Sequence, residues 1–172
     1  MARKKVATSE GAVDDNSVLT DILVDSLNKK LGDVAYIMGK GDSPAEVKEW
    51  LSTGSTVLDT IISNSVEADG GIPVGKLVEI SGEAATGKSL LSYMILKDCQ
   101  DKGGQPILID TENAANWSFL KLLGLKAREE GGNLLYLQFN SVEEVFKAIE
   151  EVIRTVRENH KDKLCCIVWD SV

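Results

Sequence analysis

Residues Gly82-Glu83-Ala84-Ala85-Thr86-Gly87-Lys88-Ser89 restrict what this chain can fold into more than any other segment. They fit G-x-x-x-x-G-K-[ST] at every fixed position. An apolar run, Leu77-Val78-Glu79-Ile80-Ser81, precedes them and reads as a buried strand, and a helix reads from Lys88 to about Cys99. Gly82 and Gly87 let the backbone turn back on itself, so that several N–H groups point into one concavity. The helix starting at Lys88 aims its positive end at the same place, which favours an anion. The pattern predicts a phosphate-binding loop for Mg-ATP. Lys88 would reach the β- and γ-phosphates, the Ser89 hydroxyl would ligate the Mg²⁺, and Glu83, Ala84, Ala85 and Thr86 would supply the intervening backbone.

The chain around this loop alternates strand and helix signals. Pro106–Asp110, Asn133–Leu137 and Leu164–Asp170 read as strands, and the segment through Trp117–Leu123 reads as a helix. Val142, Val145, Phe146, Ile149, Val152, Ile153 and Val156 form one apolar stripe at helical spacing, with Glu143/Lys147 and Glu150/Arg154 pairs at i,i+4 on the opposite face. Strands that are apolar throughout and separated by helices predict an α/β fold, with a mainly parallel sheet covered on both faces.

Ahead of that domain the text differs. Residues 1–15 are small, polar and charged without periodicity and read as a mobile tail. A helix is predicted from Asn16 or Ser17, with Val18, Leu19, Ile22, Leu23, Ser26, Leu27 and Leu31 on one face and Gly32 as its stop. Val34–Met38 reads as a short strand, closed by a loop at Gly39-Lys40-Gly41-Asp42. Periodicity leaves two readings open. The helix and strand pack on their own domain, or they form an arm that docks on a neighbouring subunit.

Hydrolysis needs more than a phosphate loop, and three carboxylates are candidates. Asp170 ends an apolar strand, where a carboxylate can hold the shell of a nucleotide-bound Mg²⁺. Asp110 and Glu112 follow another core strand, at the sheet edge where a carboxylate can polarise a water. The residues alone do not choose between those two.

Composition excludes several alternatives. Among 172 residues there is one histidine, His160, so a His-based metal site or a Ser-His-Asp triad is excluded. Cys99, Cys165 and Cys166 are too few and too clustered for a disulfide framework and read as reduced thiols. The apolar stretches are too short to span a membrane, and the basic start Met1-Ala2-Arg3-Lys4-Lys5 has no apolar run behind it. A cytoplasmic location is the expectation. The net charge of −8 argues against a general affinity for nucleic acid, which rests on neutralising phosphates.

In sequence order, Leu51-Ser52-Thr53-Gly54-Ser55-Thr56-Val57-Leu58-Asp59, Gly71–Ile80, the phosphate loop, Ile109–Ala114, Asn133-Leu134-Leu135 and Val168–Val172 resemble the RecA family of DNA recombinases. The resemblance covers residues 17–172. It implies a P-loop NTPase of RecA type with an oligomerisation arm at 16–45 and an ATP-binding core at 46–172. It further implies head-to-tail filaments formed through that arm. It implies Glu112 as the water-activating glutamate and Asp170 as the Walker-B aspartate. Asn116 stands where the family has an aspartate near the adenine, and Phe119 where an aromatic ring stacks on the base. Residues 63–69 resemble an insertion relative to cellular members, which points to a divergent member, with a viral origin open. The resemblance implies that the core is incomplete at its C-terminus, and that the loops contacting single-stranded DNA lie beyond Val172. The function implied is that of an ATP-dependent recombinase in DNA repair, with a DNA-dependent ATPase activity in the complete protein. A RecA-fold ATPase or ATP-binding module without recombinase activity is the alternative.

Overall fold

The computed structural model describes residues 15–40, 46–64 and 70–171. The chain divides into two compact units, Met1–Val47 and Lys48–Val172. The expected tail, the end of the loop after Lys40 and residues 65–69 of the expected insertion lie outside the described residues.

In the first unit, α1 (Asp15–Leu31) already includes Asn16 and Ser17, the two expected caps. It ends at Gly32, whose φ of +83° is the left-handed geometry that glycine accepts at a helix end. Val18, Leu19, Ile22, Leu23, Leu27 and Leu31 are between 42% and 66% exposed, so the apolar stripe lies open. The strand expected at 34–38 does not form. A strand needs a neighbour to exchange N–H and C=O bonds with. Here the amide side chain of Asn28 takes that place: its Oδ1 accepts from Val34 N (3.0 Å) and Ala35 N (2.8 Å), and its Nδ2 donates to Ala35 O (2.9 Å).

The second unit opens with β1 (Trp50–Leu51), α2 (Thr56–Ser63) and β2 (Ile72–Pro73), and the two short strands pair antiparallel. Asp59 organises this corner. Its carboxylate accepts from Thr53 N (2.8 Å), Thr53 Oγ1 (2.6 Å) and Ser52 Oγ (2.6 Å), which folds the 52–55 turn onto α2. Burial pushes the Asp59 pKa up. The Ser52 and Thr53 hydroxyls, the Thr53 N–H and the Lys102 charge outweigh it and hold the group below the usual aspartate range.

Then follow α3 (Lys88–Asp101), β3 (Gln105–Asp110), α4 (Trp117–Leu122), a 3-10 turn (Arg128–Glu130), β4 (Leu135–Leu137), α5 (Val142–Asn159) and β5 (Cys165–Asp170). The three longer-range strands form a parallel sheet in the order β4-β3-β5. Helices cover both faces, as the apolar strands require. Leu108 packs with Tyr93 and Leu96 of α3, Leu120 of α4 and Leu125. Its neighbours Ile107 and Ile109 point the other way, against Val145 and Ile149 of α5. Cys166 joins Cys99 on the α3 face while Cys165 joins the α5 face, and all three thiols are free.

The structure corrects two further expectations. Residues 77–81 form no strand among those described, and Leu77 is fully exposed. The sheet ends at β4 on one side and β5 on the other, and residues 77–81 pair with neither edge. On α5, Arg154 pairs with Glu151 at i,i+3 instead of Glu150, a minor change at an exposed surface.

Candidate functional site

The loop at 82–89 turns through left-handed geometry at Ala85 (φ 62°) and Gly87 (φ 95°), and Gly87 is the residue from which α3 departs. Gly82 has a different role from the one expected. A Cβ there would stand 3.1 Å from Thr86 Oγ1, so the need is for close approach inside the loop. Thr86 Oγ1 donates to Glu83 O at 2.8 Å and braces the turn. The Lys88 ammonium folds back over the loop and donates to the carbonyls of Gly82 (3.0 Å) and Glu83 (2.8 Å). A cation is thereby held over exposed backbone at the start of a helix, whose N-terminal end carries the positive side of its dipole.

Strand register sets the acidic residues. β3 and β5 run parallel with Asp110 opposite Asp170, so their C-terminal ends are level. Thr111 ties the ends together, its N–H donating to Asp170 O (3.1 Å) and its Oγ1 to Ser171 O (2.7 Å). Asp110 is 2% exposed and its carboxylate is fully engaged. It accepts from the N–H groups of Glu112 (3.1 Å), Ala114 (3.3 Å) and Ala115 (2.8 Å) and from the Tyr136 hydroxyl (2.8 Å). Burial pushes its pKa up, and these donors, Ala115 N–H first, outweigh burial and hold it below the ordinary value. Glu112 lies beyond the end of β3, so it does not share a strand face with Asp110. It is exposed, and Ser171 Oγ donates to its carboxylate.

Tyr93 is the residue that sequence reasoning missed. It sits one turn after Ser89 on the same face of α3, and its hydroxyl reaches Asp170 Oδ2 at 3.5 Å. Burial, and then the charges of Asp170 and Asp110, push its pKa up to about 12, so it stays a neutral donor. The i,i+4 spacing from Ser89 was the available signal. Ser89, Tyr93, Ala114, Asn116, Phe119 and Leu122 line one open pocket of about 530 Å³ beside the loop. Asn116 Oδ1 accepts from Phe119 N at 3.3 Å, and the Phe119 ring meets Tyr93 edge-on with centroids 6.3 Å apart.

Among the described residues, no cluster of three or more His, Cys, Asp or Glu side chains could hold a metal unaided. Ser89 offers a hydroxyl at the start of α3, and Asp170 a carboxylate at the end of β5.

Fold and site together define an α/β protein with a parallel sheet between helices and its polar residues gathered at the strands' C-terminal ends. Residues 19–172 match the RecA N-terminal domain, and the chain belongs to the RecA family. Protein RecA of Wolinella succinogenes is 33% identical over 145 residues, covering 84% of this chain and 39% of its own length. Protein RecA of Helicobacter pylori strain P12 is 31% identical over 142 residues, 83% of this chain and 38% of the relative. Protein RecA of Campylobacter lari is 32% identical over 144 residues, again 83% and 39%. The chain thus spans about two fifths of the length of these relatives. Among the described residues no helix is long and apolar enough to cross a membrane.

Proposed function

We propose that this chain carries the ATP site of an ATP-dependent, single-strand-DNA-binding recombinase that acts in homologous recombination and DNA repair. The observation that carries the reading is the pocket that joins Ser89, at the end of the glycine loop, to the aromatic ring of Phe119. A triphosphate on the loop N–H groups places its nucleoside beside that pocket. Lys88 exchanges the Gly82 and Glu83 carbonyls for the β- and γ-phosphates. Ser89 and Asp170 hold the Mg²⁺ that accompanies ATP, and Tyr93 orients Asp170. The metal supplies charge neutralisation for the phosphoryl group. Glu112, exposed and free of the backbone bonds that occupy Asp110, accepts the proton of the attacking water. Phe119 stacks on the base, and Asn116 reads its edge.

Residues 46–172 are the ATP-binding core in this reading, 1–15 a tail and 16–45 an oligomerisation arm. The open apolar stripe of α1 supports the arm, because exposed leucines at helical spacing suit a second copy of the chain. Head-to-tail docking repeats without closing and gives a filament. Single-stranded DNA is bound by parts of the recombinase outside this acidic segment.

The test is calorimetry of Mg-ATP binding to the chain and to Lys88→Ala. Binding by the wild type and its loss in the variant are expected. Equal affinities would remove the nucleotide assignment.

A further inference from the structure

Beyond the end of β3 the chain is held by a closed circuit of hydrogen bonds that crosses to β4. Gln138, the residue after β4, donates from Nε2 to the Tyr136 hydroxyl (3.0 Å) and to Asn113 Oδ1. The Tyr136 hydroxyl donates in turn to Asp110 Oδ2 (2.8 Å), and Asp110 Oδ1 accepts from Glu112 N (3.1 Å). Donors and acceptors match at every step, because an amide nitrogen has two hydrogens to give and a phenol has one. The circuit closes through the peptide bond between Glu112 and Asn113.

Glu112 therefore lies between two anchors. Asp110 holds its N–H from the end of β3, and Gln138 holds the next residue from the end of β4. The second anchor matters because Asn113 has a φ of 54°, left-handed geometry that a residue with a Cβ adopts at a cost. Without a partner for its side chain, Asn113 is free to relax toward the ordinary right-handed region, and the turn that carries Glu112 changes with it. The Glu112 side chain itself is exposed and takes a hydrogen bond from Ser171 Oγ, so the backbone of the turn sets where its carboxylate stands.

We infer that Gln138 is a positioning residue for Glu112, acting on the attacking water only through the turn that carries the glutamate. The inference rests on the water-activating role proposed for Glu112 above and names the residue that holds it from the neighbouring strand.

The experiment compares the 172-residue chain with Gln138→Ala, Glu112→Gln and the double variant. Amide hydrogen exchange reads the hold on the turn. Residues 112–115 should exchange about fivefold faster in Gln138→Ala, the scale of one exposed hydrogen bond, while the amides of β3 and the thermal melt stay as in the wild type. Single-turnover hydrolysis of Mg-ATP reads the chemistry. It should slow by about fivefold in Gln138→Ala, with the ATP affinity measured by calorimetry unchanged. In the Glu112→Gln background the same substitution should cost nothing further, because its effect passes through the glutamate. A residue that only supports the fold would lower both backgrounds alike. Unchanged exchange at 112–115, or equal losses in the two backgrounds, would overturn the inference and leave the role of Glu112 standing. A wild-type chain that binds Mg-ATP without hydrolysing it would overturn it too, and leave the ATP site standing. Failure of the wild type to bind Mg-ATP would remove both readings.

Discussion

Asp110 and Glu112 lie two residues apart, and their surroundings differ. Asp110 is spent on the turn: three N–H groups and the Tyr136 hydroxyl converge on a carboxylate that is 2% exposed. Asp110→Asn should cost about 1–3 kcal/mol of stability, because one carboxylate oxygen becomes an amide NH2 and the donors that faced it lose their acceptor. Glu112→Gln should leave stability within about 0.5 kcal/mol, and on the proposed function it should keep ATP binding while lowering the turnover of the complete protein by ~10²–10⁴-fold. Denaturant midpoints and turnover on both variants check this pair. Full stability with lost turnover in Asp110→Asn would exchange the roles. The lowered pKa of Asp110 also sets a pH dependence. A carboxyl depressed by folding stabilises above its unfolded value of about 3.9. That contribution is lost as pH falls through the lower folded value. The gap between wild type and Asp110→Asn should therefore be constant above about pH 5 and close below about pH 4.

Among the elements, α3 connects the loop to the core. Its first turn holds Lys88 and Ser89, and further along Tyr93 and Leu96 enter one apolar cluster while Ile95 and Cys99 enter another. The loop is thereby fixed to both the sheet and the β1-β2 corner. Leu96 has no exposed surface, so Leu96→Ala should destabilise by about 2–5 kcal/mol through lost contacts and a residual cavity. Leu23→Ala on α1, where the side chain is 52% exposed, should change the stability of an isolated chain by less than about 0.5 kcal/mol. Urea unfolding of the two variants measures the contrast. A large loss at Leu23 would mean that the α1 stripe is covered within the same chain.

Assembly belongs to the whole molecule. α1 presents Leu19, Ile22, Leu23 and Leu31 more than half exposed, a surface that costs free energy in water unless another chain covers it. Deleting residues 1–40 should abolish self-association and leave the unit from Lys48 onward folded. Light scattering before and after the deletion gives the answer, and an unchanged particle size would refute the arm.

Local pattern determined much of this protein. The glycine loop, the helix after it and the apolar strands at 106–110 and 165–170 are written as contiguous signals, because helix and strand periods act over a few residues. The parallel sheet between helices followed from strands with no polar face. Pairing was not legible. Residues 34–38 and 77–81 have the composition of strands, yet a strand exists only where a second edge supplies its hydrogen bonds, and no residue announces its partner's position. The different surroundings of Asp110 and Glu112 were closed to sequence for the same reason. Tertiary structure brought Tyr136 and three backbone N–H groups to Asp110 and set Ser171 against Glu112, and those partners come from elsewhere in the chain.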